Sequence, residues 1–404
     1  MMKKILAFGL LALFSLASCT AGREARAHKR YLREAKSILA TTPVIDTHID
    51  FPTSLSDRNE WFQPGYTALA LRHPGGQFDF ERSIQGGLYG AFMSIYIPSK
   101  LQKQPGRAKQ LADSLITLTE QIAQAHPEKF ALAPNADDVM SHFKEGIVSL
   151  PMGMENGAPI EKVEDVAYFH RRGIRYVTLT HGRDNQLCDS SYDTLETNGG
   201  LSPLGREVVR EMNRVGIMVD VSHLSDKSVS DVLSLTSRPV VASHSACRHF
   251  VPGYIRNLPD SLIVAIARNG GVIQVPFSHY FLTATSRDEY KNAENALKAK
   301  GYNEQTPEAR YFMRKELQKA ATSVKSVADQ MDYIRKLVGV EHIGIGSDFD
   351  GVGLALPPDL SDVSMYPNLL AELLQRGYSE SDIRKICSEN ILRVWRANEH
   401  QSKR

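Results

Sequence analysis

Apolar residues recur along this chain in short β-rich runs, separated by longer stretches with helical spacing. The runs cover residues 44–50, 90–97, 146–155, 174–181, 217–223, 240–244, 271–277 and 342–348. Most are nearly continuous in apolar character, as strands of a parallel sheet covered by helices require. Between them, apolar positions three and four apart predict helices over 107–125, 203–215, 226–235, 261–269 and 323–338. Leu111, Leu115, Leu118 and Ile122 form the stripe of the first. Ser202 and Pro203 read as the N-cap and first position of the second. Ser379-Glu380-Ser381-Asp382 reads as a capping box opening a last helix through Arg396. An amphipathic helix over 24–40 precedes the first run. Strand and helix alternating over eight strands predict an α/β fold, a (β/α)8 barrel of TIM type. The alternative is an open doubly wound sheet, but no Gly-rich phosphate fingerprint follows the first strand. One stretch breaks the rhythm. Residues 283–322 are charged and helix-forming, either a helical excursion over the barrel mouth or a surface insertion.

Composition changes this picture little. The chain has 404 residues, 42% hydrophobic and 23% charged, with a net charge of +2. That balance gives no nucleic-acid surface. Length alone allows two or three domains, although α/β barrels often run this long as one unit. Cys188, Cys247 and Cys387 are dispersed with no CxxC spacing, which excludes a disulfide framework and a thiolate zinc site. Cys247 is either a nucleophile or, more simply, a small buried residue.

The N-terminus reads as a targeting segment. Lys3 and Lys4 precede an apolar stretch over 5–16, too short to span a membrane. Leu16-Ala17-Ser18-Cys19 resembles the bacterial lipobox, in which the Cys is lipidated and the chain is cut before it. The alternative is a soluble secreted protein cut near Ala17 or Ala21. Thr20 rather than Asp after Cys19 points to an outer-membrane anchor. The expected organisation is a lipoprotein signal peptide over 1–18, an anchor and N-terminal helix over 19–43, and a catalytic barrel over 44–400 with an insertion over 283–322. The expected location is the bacterial cell envelope, lipid-anchored and extracytoplasmic.

Candidate chemistry gathers at the strand ends. In a (β/α)8 barrel these side chains converge on one rim. Strand one ends in His48 and Asp50, strand three in Glu155, strand four in His181, strand five in His223, strand six in His244 and strand eight in Asp348. Any one of them has a bland reading, as a satisfied polar residue, a helix cap or a turn. Together on one rim they indicate a metal centre. Imidazole and carboxylate suit zinc, manganese, iron or cobalt. Three His and two carboxylates can hold two ions if Glu155 bridges them, and two ions roughly 3.5–4 Å apart can activate a shared water.

These motifs resemble the membrane dipeptidase (renal dipeptidase) family of zinc peptidases over roughly residues 40–398. The matching stretches include Asp46-Thr47-His48-Ile49-Asp50, Gly153-Met154-Glu155-Asn156-Gly157, Asp220-Val221-Ser222-His223, Ser243-His244-Ser245, Arg256-Asn257-Leu258-Pro259-Asp260 and Gly346-Ser347-Asp348-Phe349-Asp350-Gly351. The resemblance implies two Zn2+ per chain, with His48 and Asp50 on one ion, His223 and His244 on the other, and Glu155 bridging. It implies that Asp348 carries the proton to the scissile amide, that His181 binds substrate or the developing oxyanion, and that Arg256 pairs with the free carboxylate of a dipeptide. Family members tolerate a D-residue at the C-terminal position and are often dimers. The partners expected are therefore dipeptide substrates, the membrane through an N-terminal lipid, and a second copy in a homodimer. Two readings from other classes stay open, a hydrolase for an ester, lactone or N-acyl amino acid, and a non-catalytic surface binding lipoprotein. The sequence departs from compact members between His48-Ile49-Asp50 and Gln77 and at the insertion, two regions in position to contact substrate, so the resemblance leaves specificity open.

Overall fold

The computed structural model of the chain describes residues 26–302, 306–317 and 322–399. The signal segment over 1–18 and the lipobox residue Cys19 lie outside the described residues. The described part of the N-terminal helix, 26–39, packs Ala35, Ile38 and Leu39 against the body.

All strand pairs among the described residues are parallel. The strands are β1 (Val44–Ile49), β2 (Leu88–Tyr96), β3 (Phe130–Ala131), β4 (Val148–Ser149), β5 (Met152–Glu155), β6 (Ile174–Thr178), β7 (Met218–Asp220), β8 (Val241–Ala242), β9 (Val272–Val275) and β10 (Ile343–Ile345). β1, β2, β5, β6, β7, β8, β9 and β10 follow one another around a closed barrel, with β10 pairing back to β1. The eight-strand expectation therefore holds, and the helices between strands complete a (β/α)8 barrel. The run over 146–155 differs from a single strand. It is two, β4 and β5, and β4 pairs with β2 and β3 beside the barrel wall. The break falls at Pro151, which has no N–H to donate, while its carbonyl accepts from Met93 N at 2.8 Å.

Helix starts follow the caps legible in the chain. Ser202 accepts from Gly205 N to open Pro203–Val215, and Ser225 accepts from Ser228 N to open Asp226–Leu235. Ser379 and Asp382 form the expected box, but the helix that follows is broken. Glu380–Arg384 passes into one π-helical turn, Lys385–Glu389, before Asn390–Glu399 resumes α geometry. That last helix closes the bottom of the barrel. Ile45, Phe92, Tyr176, Met218, Val241 and Val272, each from a different strand, form one interior cluster with Trp395. Trp395 meets Phe92 at 5.0 Å between ring centroids, and Phe92 meets Tyr176 at 5.6 Å. A column of aromatic rings thus rises from the sealed end toward the rim that carries His48.

The stretch over 283–322 is a helical hairpin in its described part, with helices Ala284–Ala299 and Pro307–Leu317. Ala293, Leu297, Ala309, Met313 and Leu317 form an apolar cluster separate from the barrel core. Leu354, in the loop after β10, packs against that cluster, which places the hairpin at the rim.

Candidate metal centre

Glu155 ends β5 on that rim, and its two oxygens face two different groups. Oε2 lies 3.5 Å from His48 Nε2, which is 3.3 Å from Asp50 Oδ2. Oε1 lies 3.1 Å from His223 Nε2 and 3.3 Å from His244 Nε2. His223 Nε2 and His244 Nε2 are themselves 2.7 Å apart. All five side chains are buried. The ligand atoms of His48, Glu155 and His244 lie within 4.8 Å of one another, as do those of Glu155, His181 and His223, and those of His48, Asp50 and Asp348.

The ring orientations are fixed from behind. Tyr176 Oη donates to the Thr47 carbonyl at 2.9 Å, so the same hydroxyl accepts from His48 Nδ1 at 3.0 Å. The lone pair of His48 is then on Nε2, a buried atom with no hydrogen-bond partner. Ser243 repeats the device. Its Oγ donates to Asp220 Oδ2 at 2.6 Å and accepts from His244 Nδ1 at 2.8 Å. His244 Nε2 is therefore also a lone pair, and it faces His223 Nε2 at contact distance. Lone pairs of buried imidazoles converging on a carboxylate are the donor set a divalent cation completes. Such outer partners typically account for roughly 10–100-fold in metal affinity. Tyr176→Phe keeps the ring column and frees the His48 tautomer, so zinc affinity measured by chelator competition is expected to fall by that order.

Backbone strain marks the same rim. His223, Asp348 and Asp350 hold left-handed conformations at φ 68°, 68° and 65°. Gly351 makes room for the carboxylates of Asp50 and Asp348. A Cβ there would stand 2.2 Å from Asp50 Oδ2 and 2.6 Å from Asp348 Oδ1. Gly153 has the same role below, since its Cβ would lie 1.9 Å from the Tyr176 ring. The chain turns at Asp50, which caps the helix Phe51–Asp57 without a side-chain capping bond, leaving its carboxylate for the site.

Charge is distributed to suit a cation. Burial opposes charge on His48, but Tyr176, Glu155 and Asp50 outweigh it and hold this imidazole well above the usual range, so a cation bound at Nε2 takes the place of a proton there. Burial also opposes ionisation of Glu155, yet His48, His181, His223 and His244 hold it well below the usual range. Burial keeps His223 and His244 low, so both are neutral and able to ligate. Burial, with Asp50 and Glu155 beside it, pushes the Asp348 carboxyl up to about 7.

Three further expected residues fall around these five. His181 is half-buried in the loop after β6, with Nε2 3.7 Å from Glu155 Oε1 and its ring 4.2 Å from that of His223. Asp348 lines the cleft above the ligands, its N–H donating to the His48 carbonyl at 3.1 Å. Arg256 is buried behind the wall. Its Nη1 donates to Ser245 Oγ at 3.0 Å and its Nη2 to the His244 carbonyl at 2.6 Å, while Nε has no partner. The cleft itself has a volume of about 500 Å³ and also takes Tyr96, Tyr192 and Tyr254 into its walls. Sequence reasoning missed Tyr176, Ser243 and Asp220. Asp220, a carboxylate in an apolar strand three places before His223, and Ser243, next to His244, were the available signals, and Tyr176 offered none.

Comparison with known proteins agrees with this geometry. The family model for membrane dipeptidases, peptidase family M19, matches residues 32–404. The chain is 33% identical over 373 residues to dipeptidase verJ of Clonostachys rogersoniana, covering 90% of this chain and 86% of that one. Among solved structures, the probable dipeptidase PvdM from Pseudomonas aeruginosa superposes with a TM-score of 0.79 at 27% identity, over 92% of this chain and 99% of that one. A metallo peptidase from Rhodobacter sphaeroides, liganded with a phosphinate mimic of the dipeptide L-Ala-D-Ala, gives 0.73 at 26% identity, over 89% and 99%.

Proposed function

This chain belongs to the membrane dipeptidase family, and from that premise we propose that it is a binuclear zinc dipeptidase that accepts a D-residue at the C-terminal position of its substrate. The family makes it a zinc-dependent metallopeptidase acting on dipeptides. The count of two ions rests on one observation, that Glu155 Oε2 faces His48 and Asp50 while Oε1 faces His223 and His244. Zinc held by these residues supplies an activated water and polarises the amide carbonyl. The chain's own groups do the rest. Asp348, beside the ligands and at the cleft surface, accepts the proton of the attacking water and delivers it to the leaving nitrogen. His181, a neutral imidazole at the cleft edge, steadies the oxygen on which charge grows. Arg256 offers its unpartnered Nε edge to the free carboxylate of the dipeptide. The Rhodobacter relative's L-Ala-D-Ala mimic supports tolerance of the D-residue.

A soluble form beginning near Gly22, loaded with zinc, is expected to cleave L-L and L-D dipeptides and to cleave tripeptides roughly ten- to a hundredfold more slowly. That margin matches a buried carboxylate partner lost to an amide, worth roughly 1.5–3 kcal/mol. Equal cleavage of tripeptides would remove the carboxylate clamp from this reading. The lipobox supports an envelope location. Cys19→Ser in the bacterial host should release the protein from the membrane fraction, and unchanged membrane association would sink lipid anchoring.

A further inference from the structure

The walls of the cleft carry unlike charge. Asp57, from the helix after β1, and Asp350, from the loop after β10, line it beside the ligand Asp50. The hairpin inserted after β9 contributes Arg287 and Lys291, one helical turn apart on Ala284–Ala299. Arg287 is half-buried and held in place, with its guanidinium 4.1 Å from the centroid of the Tyr254 ring. Tyr254 is itself fixed by the Tyr192 hydroxyl at 3.0 Å and lies parallel to Phe281 at 6.3 Å. A guanidinium resting on an aromatic face keeps its N–H edge free for an anion. Among the described residues, neither Arg287 nor Lys291 has a carboxylate within ion-pair distance. Glu294, one turn further on, is drawn instead into the hydrogen bonding of Tyr280.

The same aromatic wall reaches Arg256, whose guanidinium lies 5.2 Å from the Phe281 ring centroid. Phe281, Tyr254 and Arg287 therefore form one stretch of the cleft wall, with Arg256 buried behind its Phe281 end. A dipeptide whose main-chain carboxylate meets Arg256 would extend the side chain of its C-terminal residue along this surface toward the two unpaired cations. We propose that Arg287 and Lys291 form an anion subsite that selects dipeptides with an acidic side chain on the C-terminal residue. This specificity rests on the dipeptidase reading given above. The subsite belongs to the hairpin after β9.

The test uses the full-length zinc-loaded enzyme in detergent and the substrates L-Ala-L-Glu and L-Ala-L-Gln, which share shape and main-chain carboxylate. The expected ratio of kcat/KM, acid over amide, is roughly tenfold or more at low salt, declining as ionic strength rises. In Arg287→Met/Lys291→Met the ratio is expected to fall to about one. In Arg287→Glu/Lys291→Glu the preference should invert toward L-Ala-L-Lys, a gain that a damaged fold does not produce. Bound zinc per chain serves as the folding control. A wild-type ratio near one, a ratio that survives the double substitution, or an equal loss on both substrates overturns the subsite. A preference for L-Glu-L-Ala over L-Gln-L-Ala in place of the first pair overturns its assignment to the C-terminal residue. If neither L-Ala-L-Glu nor L-Ala-L-Gln is cleaved, the dipeptidase reading fails and the subsite with it. Cleavage of both substrates without preference removes the subsite alone.

Discussion

Glu155→Gln is expected to release zinc from both positions and to reduce kcat/KM by about a thousandfold or more. The substitution keeps the shape of the side chain and removes its charge. It also turns one acceptor oxygen into an amide that donates hydrogen, aimed at imidazole lone pairs that need a cation. Because Oε2 serves the His48 side and Oε1 the His223–His244 side, either orientation of the amide damages one half. Loss of the charge weakens both. Metal-ion catalysis is worth several kcal/mol of transition-state stabilisation, and each 1.4 kcal/mol is about tenfold in rate. Elemental analysis of the purified variant decides the matter. Two ions retained per chain would mean that Glu155 does not bridge. By contrast, His48→Ala should lose the ion shared with Asp50 more readily than the other, so the two variants separate a bridge from a terminal ligand.

Asp348→Asn should leave the metals in place and lower kcat by roughly 10²–10⁴-fold, the usual range for a lost general acid–base group. Asn is the appropriate replacement for a conformational reason as well. Asp348 sits at φ 68°, a region that Asn enters more readily than most residues. The backbone turn that passes to Gly351 is therefore kept, and the loss reads proton transfer rather than a displaced loop. Steady-state kinetics on a dipeptide, with zinc content measured in parallel, gives the answer. A kcat within tenfold of the parent enzyme would transfer the proton role to another group in the cleft wall, with half-buried His181 the candidate.

The barrel was legible because its grammar is coarse. Apolar strand runs, capped helices and polar strand ends can be counted without knowing any contact. The residues that gather at the rim were legible for a related reason. His48, Glu155, His223 and His244 interrupt or end apolar runs, where a charged or ionisable group demands a partner. What stayed hidden depends on neighbours far apart in the chain. Tyr176 reads as one more apolar strand residue, yet its hydroxyl sets the tautomer of a histidine 128 positions earlier. Ser243 reads as part of a motif, while its role comes from Asp220 on the preceding strand. The run over 146–155 read as one strand, because the pairing of β4 with β2 and β3 is a tertiary choice. Arg256 was expected in contact with substrate, and the structure shows most of its donors turned to Ser245 and the His244 carbonyl. Nothing local to Arg256-Asn257-Leu258 announces that.

The hairpin after β9 holds together through apolar residues of its own and touches the loop after β10 through Leu354. A substitution on its cleft-facing side therefore disturbs neither the aromatic column of the barrel nor the ligand set on the rim. Two parts of the protein are free to change at different speeds. The reaction is inherited with the strand ends, whereas the diet of the enzyme can shift with the hairpin, one surface residue at a time.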